Sequence, residues 1–207
     1  MTLDLFGPQS IDELADQVRA CQRCGLHQTR KQAVPGEGDP AARIMFIGQG
    51  ASEADNITGR NYSGPSGAVL DMALERAGLD RSQIYLTNIV KCVPLAPRRE
   101  DGVLDYRAPK SAEVRACRPW LDTEIALVRP KVIVACGAPA AQALIDPGFR
   151  LAEERGIWRT GPFGIPAIAT WQPAYLMRMK EWDRPRAVEG WQQLVADVRA
   201  AAERSRE

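Results

Sequence analysis

Apolar strand-like runs alternating with amphipathic helical stripes predict an α/β sandwich built around a mostly parallel sheet. Three observations carry this. Four short apolar runs have the length and make-up of buried strands. Segments with apolar residues at i, i+3 and i+4 lie before, between and after them. The chain of 207 residues, 45% apolar and 26% charged, is long enough for one substantial core and is read as a single domain over residues 1–207.

The elements follow in order. Ser10 and Glu13 have the spacing of a capping box, and Ile11, Leu14, Ala15 and Val18 form one apolar stripe that leads to Cys21. Arg43 to Gly48, RIMFIG, is a buried strand that opens into the polar loop GQGASEADN. Val69, Leu70, Ala73, Leu74 and Ala77, stopped by Gly78, make a helix. Ile84 to Ile89 is the second strand, followed by a polar loop from Pro94 to Pro109 and a long helix from about Ser111 to Val128. In that loop Arg98, Arg99, Glu100 and Asp101 form the expected mobile segment. Lys131 to Ala135 and Ile165 to Thr170 are the third and fourth strands, and a last helix from about Arg184 carries Trp191, Leu194, Val195 and Val198 on one face.

Several function classes are disfavoured. No run of about 18 apolar residues could span a bilayer, and MTLDLFGPQS lacks the features of a signal peptide. The expected setting is cytoplasmic, without membrane attachment. A net charge of +1 gives no global attraction to nucleic acid, so DNA contact would need a local patch. In a reducing compartment the pair in ACQRCGL, Cys21 and Cys24, is a metal or redox site rather than part of a disulfide framework.

Ligands in α/β folds bind beyond the carboxyl ends of parallel strands. Three runs fall there: GQGASEAD, NIVKC and WQPAY. Singly, Gly48 and Gly50 could serve a tight turn, Glu53 and Asp55 could cap a helix, and Asn88 could satisfy a strand end. Their convergence on one sheet edge makes them candidate site residues.

ACQRCGL, GEGDPAARIMFIG, TGRNYSGPSG, LTNIVKC and ACRPWL resemble the iron-sulfur uracil-DNA glycosylases of family 4, with some features of the related group X. The resemblance runs from about Ala20 to the C-terminal helix. It implies a three-layer α/β/α sandwich with a four-stranded parallel sheet. It also implies that Cys21 and Cys24 join Cys92 and Cys117 as ligands of a 4Fe-4S cluster. From spacing alone a Cys₄ zinc site is an equal alternative; the resemblance favours the cluster. Cys136 is read as a buried small residue.

The implied activity is hydrolysis of the bond between deoxyribose and uracil or a related deaminated base, in base excision repair. The base must leave the stack and enter a pocket. Asn88 matches the base-reading asparagine of the family, Tyr62 stands where the family stacks a phenylalanine on the base, and Gly48 and Gly50 shape the pocket. The departures are as informative. Gln49 replaces a glutamate, and Gln172 replaces the histidine that faces the charged base oxygen; both are retained as catalytic candidates, with Asp55 as the surviving carboxylate and Glu53 in reserve. Tyr106 occupies the place of the group X histidine that bonds covalently to its product, so covalent trapping is not expected; Cys92 follows the family 4 pattern. The chain's one histidine, His27, lies beside the cluster segment.

DNA contact is expected from Arg98, Arg99, Arg107 and Lys110 in the long loop, and from Tyr175, Leu176 and Arg178 after WQPAY. Tyr175, Leu176 and Met177 match the segment that the family places in the space vacated by the flipped base. The expected partner is single- or double-stranded DNA and the expected state a monomer. The competing reading is a non-catalytic or differently specific DNA-binding relative that keeps the fold and the cluster.

Overall fold

The computed structural model describes residues 7–97 and 104–207. Its centre is a sheet sealed by apolar side chains on both faces, and the alternation of strand residues explains why. In β2 (Ile44–Gly50), Met45 and Ile47 enter one apolar cluster while Ile44 and Phe46 enter the other. The same division separates Tyr85 and Ile89 from Ile84 and Leu86 in β3 (Ile84–Val90). A strand with both faces covered reads as a continuous apolar run, which is why these runs do not alternate in sequence.

β6 (Val132–Cys136) and β8 (Pro166–Thr170) complete a parallel core in the order β3-β2-β6-β8. The sheet has six strands rather than the expected four, because β1 (Glu37–Gly38) and β7 (Arg159–Thr160) add a short antiparallel edge on each side. Each edge strand has two residues. That is too short to leave a periodic signal in the sequence.

The outer layers are helical. On one face lie α1 (Ile11–Arg19), α4 (Ser111–Val128), α5 (Ala138–Leu144) and α6 (Leu151–Glu154), represented by Leu14, Val18, Leu121, Ile125, Leu144 and Leu151. On the other lie α3 (Pro65–Arg76) and α8 (Arg184–Arg204), with Leu70, Leu74, Leu194 and Val198, together with Leu176 of α7 (Pro173–Trp182). The expected three-layer arrangement is therefore present. Ser10 caps α1 by accepting from Glu13 N at 3.2 Å, while the Glu13 carboxylate accepts from Gln9 N at 2.7 Å, one residue ahead of the cap. α2 (Glu53–Thr58) occupies part of the expected polar loop. The shorter helices have too few turns for an apolar stripe to be legible.

The segment from Pro94 to Pro109 is also more regular than expected. β4 (Leu95–Pro97) and β5 (Leu104–Tyr106) pair antiparallel with Leu95 opposite Tyr106. Arg98, Arg99, Glu100 and Asp101 lie outside the described residues. Among the described residues no helix is long and apolar enough to cross a membrane.

One buried polar knot fastens α4 to the sheet. Lys91 and Glu124 are each 1% exposed at the side chain and pair at 2.6 Å. Lys91 Nζ also donates to Thr87 Oγ1 at 2.5 Å and to the Asn88 carbonyl at 2.8 Å. Glu124 accepts from Thr87 Oγ1 at 2.7 Å and from Gly36 N at 2.9 Å. Removing one member strands the other charge away from water, at a cost of about 3–5 kcal/mol, whereas replacing both by apolar groups can be near neutral. Glu124→Leu should therefore lower the urea unfolding midpoint sharply, and Lys91→Met with Glu124→Leu should recover most of the loss. Equal midpoints for the single and double variants would show that the pair is not a closed unit.

Candidate active site

The carboxyl ends of the parallel strands open into a cleft. Gln49 and Gly50 come from β2, Asn88 from β3, and Gln172 from the turn after β8. Ser52, Glu53 and Asp55 around the start of α2 form one wall, and Tyr62 and Ser66 continue it. Tyr106 of β5 and Arg178 of α7 stand at the opposite side. The fold thus brings together Gln49, Gly50, Asp55, Tyr62, Asn88, Gln172 and Arg178 from the expected set. Ser52, Ser66 and Ala174 are additional lining residues without a distinctive sequence signal.

The floor depends on Gly48, which pairs in register with Asn88. A Cβ at this position would collide with Asn88 Oδ1 and the Tyr62 hydroxyl oxygen. Gly48 is therefore required by close approach. Tyr62 adopts φ +51°, uncommon for a non-glycine residue. Its carbonyl is held by Arg81 Nη2 at 3.0 Å, and its ring is buried in the apolar layer on the α3 and α8 side. Burial, with Cys136 second, pushes the Tyr62 hydroxyl well above its ordinary pKa. The hydroxyl stays protonated at neutral pH. Cys136, itself pushed up to about 12 by burial, belongs to this apolar layer and not with the other four cysteines, as expected of a buried small residue.

Asn88 is 4% exposed and donates through Nδ2 to Oδ1 of Asn61 at 2.8 Å. Asn61 is fully buried and donates in turn to the Pro35 carbonyl at 2.6 Å. Sequence reasoning missed Asn61, because nothing in GRNYSG distinguishes a buried asparagine from a turn residue.

Asp55 is both a capping residue and a wall of the cleft. Its carboxylate accepts from Ser52 N at 2.9 Å, and from Ser63 N at 2.8 Å and Ser63 Oγ at 3.0 Å. These bonds tie α2 to the turn that carries Tyr62. Glu53, by contrast, is exposed at the lip. Gln172 is the N-cap residue of α7 yet its side chain makes no capping bond. It faces the cleft with its amide uncommitted.

The expected DNA-contact residues do not form one group. Tyr175 is 37% exposed and stacks on Trp171 with centroids 5.7 Å apart. Leu176 is 4% exposed and packs in the apolar layer on the α3 and α8 side, so the expectation of a wedge is left to Tyr175 and the half-buried Met177. The turn of α7 sends Leu176 inward. Arg107 is committed to Glu113 through both guanidinium ends, at 2.8 and 2.5 Å. The Arg107 bond holds the Glu113 carboxyl below the ordinary range. Lys110 is exposed. Arg178 reaches the cleft near Tyr106, whose hydroxyl is raised by partial burial with Arg178 acting in the opposite direction.

A second cavity lies on the α1 and α4 side. Cys21, Cys24, Cys92 and Cys117 all line it, with Arg23, Arg30, Lys91 and Trp120. Sulfurs of Cys92, Cys21 and Cys117 accept from Arg30 Nη1 at 2.9 Å, Trp120 Nε1 at 3.2 Å and Lys91 N at 3.3 Å, respectively. Burial pushes the Cys117 thiol up to about 12 and raises Cys92, opposed by Lys91 and Arg30. N–H donors aimed at sulfur favour the thiolate form that metals bind. Among the described residues no group of three or more His, Cys, Asp or Glu side chains is arranged to hold a metal ion. The four thiols line one common cavity. His27 lies outside this lining and its Nδ1 is 2.7 Å from the Cys24 carbonyl oxygen.

An α/β/α sandwich with a polar cleft at the strand ends and a four-cysteine cavity behind it defines the class. The family model for the uracil DNA glycosylase superfamily matches residues 35–195, and the chain belongs to that superfamily. Its similarity is strong to type-4 members. A type-4 uracil-DNA glycosylase of Sulfurisphaera tokodaii is 40% identical over 173 residues, covering 80% of this chain and 74% of the relative. One from Thermotoga maritima is 34% identical over 179 residues, covering 86% and 88%. A type-5 uracil-DNA glycosylase of Thermus thermophilus is 35% identical over 127 residues and covers 54% and 53%.

The crowding above Gly48 is testable without any activity. Gly48→Ala overpacks the floor and should destabilise the protein by about 1–3 kcal/mol. Tyr62→Phe removes one of the two colliding oxygens. In a double-mutant cycle followed by thermal unfolding, the pair should therefore cost less than the sum of the singles. Strict additivity would mean that Tyr62 does not close over Gly48.

Proposed function

We propose that the protein is a DNA glycosylase that removes uracil, or a related deaminated base, by hydrolysing the N-glycosidic bond. The reading is carried by the buried Asn88 amide at the floor of a cleft formed by the strand ends. An amide offers one acceptor and a remaining donor side by side, which suits the edge of an extruded pyrimidine. The naming of the type-4 relatives supports the same reaction. DNA is the proposed partner, and the protein is proposed to act as a monomer and a single domain in a reducing, cytoplasmic setting.

Negative charge grows on the departing base and positive charge on the sugar. Gln172, with its amide uncommitted at the cleft, supplies a donor to the base oxygen. Gln49 orients water but cannot take its proton. Asp55 contributes negative charge toward the sugar and fixes the wall, while its oxygens are engaged by Ser52 and Ser63. Glu53, exposed at the lip, is the reserve carboxylate for accepting the proton of the attacking water. Tyr62 bounds the base pocket, and Arg178, Lys110 and Tyr175 contact the strand; Arg107 instead fastens the ribbon to α4.

The four-cysteine cavity is proposed to hold a 4Fe-4S cluster through Cys21, Cys24, Cys92 and Cys117. A zinc ion draws four sulfurs to about 2.3 Å from one centre. Four thiols lining one cavity fit either group, and the resemblance of the cysteine motifs to the iron-sulfur family favours the cluster. When bound, the cluster would link α1, the end of β3 and α4. Anaerobically purified protein should then show broad visible absorbance and about four irons per chain. Cys92→Ala should bleach it, and Cys136→Ala should leave the colour intact. One zinc per colourless chain would overturn the assignment.

A second reading, a DNA-binding relative without catalysis, is favoured by one observation: Gln49 and Gln172 are not ionisable and the Asp55 carboxylate is already engaged. The two separate on excision assays with single- and double-stranded uracil DNA. Asn88→Ala should abolish excision with little effect on binding to undamaged DNA, and Arg178→Ala should weaken both kinds of binding. Gln172→His should raise excision, and Gln172→Ala should lower it by up to about a hundredfold. If wild type and Gln172→His both bind uracil DNA and release nothing, the second reading replaces the first.

A further inference from the structure

We propose that Asn61 locks the orientation of the Asn88 amide and thereby makes the cleft accept uracil over cytosine. The inference rests on the base-reading role proposed for Asn88 and gives that role its sign.

The lock follows from hydrogen-bond chemistry. The Pro35 carbonyl can only accept, and the Asn61 side chain meets it at 2.6 Å. The Asn61 NH₂ group must therefore face Pro35, which turns its Oδ1 toward Asn88. That oxygen can also only accept, so Asn88 must present its NH₂ group there, at 2.8 Å. Reversing Asn88 would set two oxygens against each other in a site where Asn61 is fully buried and Asn88 is 4% exposed. An unmade bond of this kind is costly away from water. Asn88 Oδ1 is thereby directed to the side of Gly48 and the Tyr62 hydroxyl, where a Cβ on Gly48 would strike both oxygens.

The consequence concerns the two pyrimidine edges. Uracil presents the O4 acceptor beside the N3–H donor, whereas cytosine presents an N4 amino donor beside the N3 acceptor. A freely turning amide satisfies either edge by reversing itself. A locked amide satisfies one. Its second N–H remains available for O4 while its oxygen meets N3–H. Cytosine then faces donor against donor and acceptor against acceptor. Since DNA offers far more cytosine than uracil, this orientation is a specificity determinant, and Asn61 acts through Asn88 as a positioning residue.

The test compares wild type, Asn61→Leu, Asn61→Asp and Asn88→Ala. Leucine is similar in size and removes both bonds. Aspartate keeps an acceptor toward Asn88 while losing the amide donor to Pro35. Affinity is measured for single-stranded oligonucleotides carrying one non-hydrolysable 2′-fluorinated deoxyuridine or the matching deoxycytidine, with excision from the ordinary nucleotides and thermal midpoints measured in parallel. Wild type should prefer the uracil probe by about tenfold or more, the scale of one bidentate amide contact. Asn61→Leu should lose most of that preference, chiefly by gaining affinity for cytosine. Asn61→Asp should keep the preference even if its thermal midpoint falls as far. Should Asn61→Leu not fold, Asn61→Ser, whose hydroxyl is too short to reach Asn88, is expected to show the same loss. The inference is overturned if wild type does not discriminate, if the variants lose preference in step with stability, or if Asn88→Ala discriminates as well as wild type. Discrimination in binding with no base released would sink the glycosylase reading and leave the lock standing.

Discussion

The pairing of Lys91 with Glu124 is the constraint on which both centres depend. Lys91 follows the end of β3, bonds the Asn88 carbonyl from below, and gives its backbone N–H to Cys117. Glu124 lies on α4, two turns beyond Cys117, and gathers Thr87 and Gly36. One buried charge pair therefore sets the height of α4 over the sheet and the position of the strand end that carries Asn88. A hydrophobic contact would tolerate sliding, whereas this knot has a single arrangement in which every donor and acceptor is met.

The period of the β-strand assigns the two chemistries to opposite faces. Thr87 turns to the α1 and α4 side, where Glu124 and the cysteine cavity lie, and Asn88 turns to the side of Tyr62 and Cys136. Cys92 then extends the strand toward the cavity. Adjacent residues thus serve separate sites, and the cysteine centre can support the cleft without entering it. That geometry accords with a structural role for the proposed cluster.

The cleft itself depends on crowding and on groups that cannot ionise. Gly48 admits Tyr62 and Asn88 to a volume that any side chain would fill, and Asp55 holds the positive-φ turn of Tyr62 through Ser63. Two of the strand ends contribute the amides Gln49 and Gln172. Amides direct hydrogen bonds but carry no charge, so what these two side chains offer a ligand depends on their orientation. The wall carboxylates Asp55 and Glu53 differ in the same respect: one is engaged and one is exposed.

The parallel core and its main helices were legible in the sequence, because burial on both faces demands continuous apolar runs and one-sided burial demands a helical stripe. β2, β3, β6, β8, α1, α4 and α8 all lie where those patterns fall. The cysteine set and most of the cleft were also legible, through motifs that end strands or leave α1. Two-residue edge strands, the β4–β5 ribbon and the short helices leave no period to detect. Leu176 faces inward although its segment reads as a surface wedge, since spacing does not reveal which side of α7 meets α8. Asn61 and the partnership of Lys91 with Glu124 were hidden for a deeper reason. A polar residue in a sequence has no visible partner, and the two members of that pair stand 33 residues apart. Local pattern determined which segments form the layers; only the tertiary structure decided which polar groups meet, because a hydrogen bond depends on distance and direction in space and not on separation along the chain.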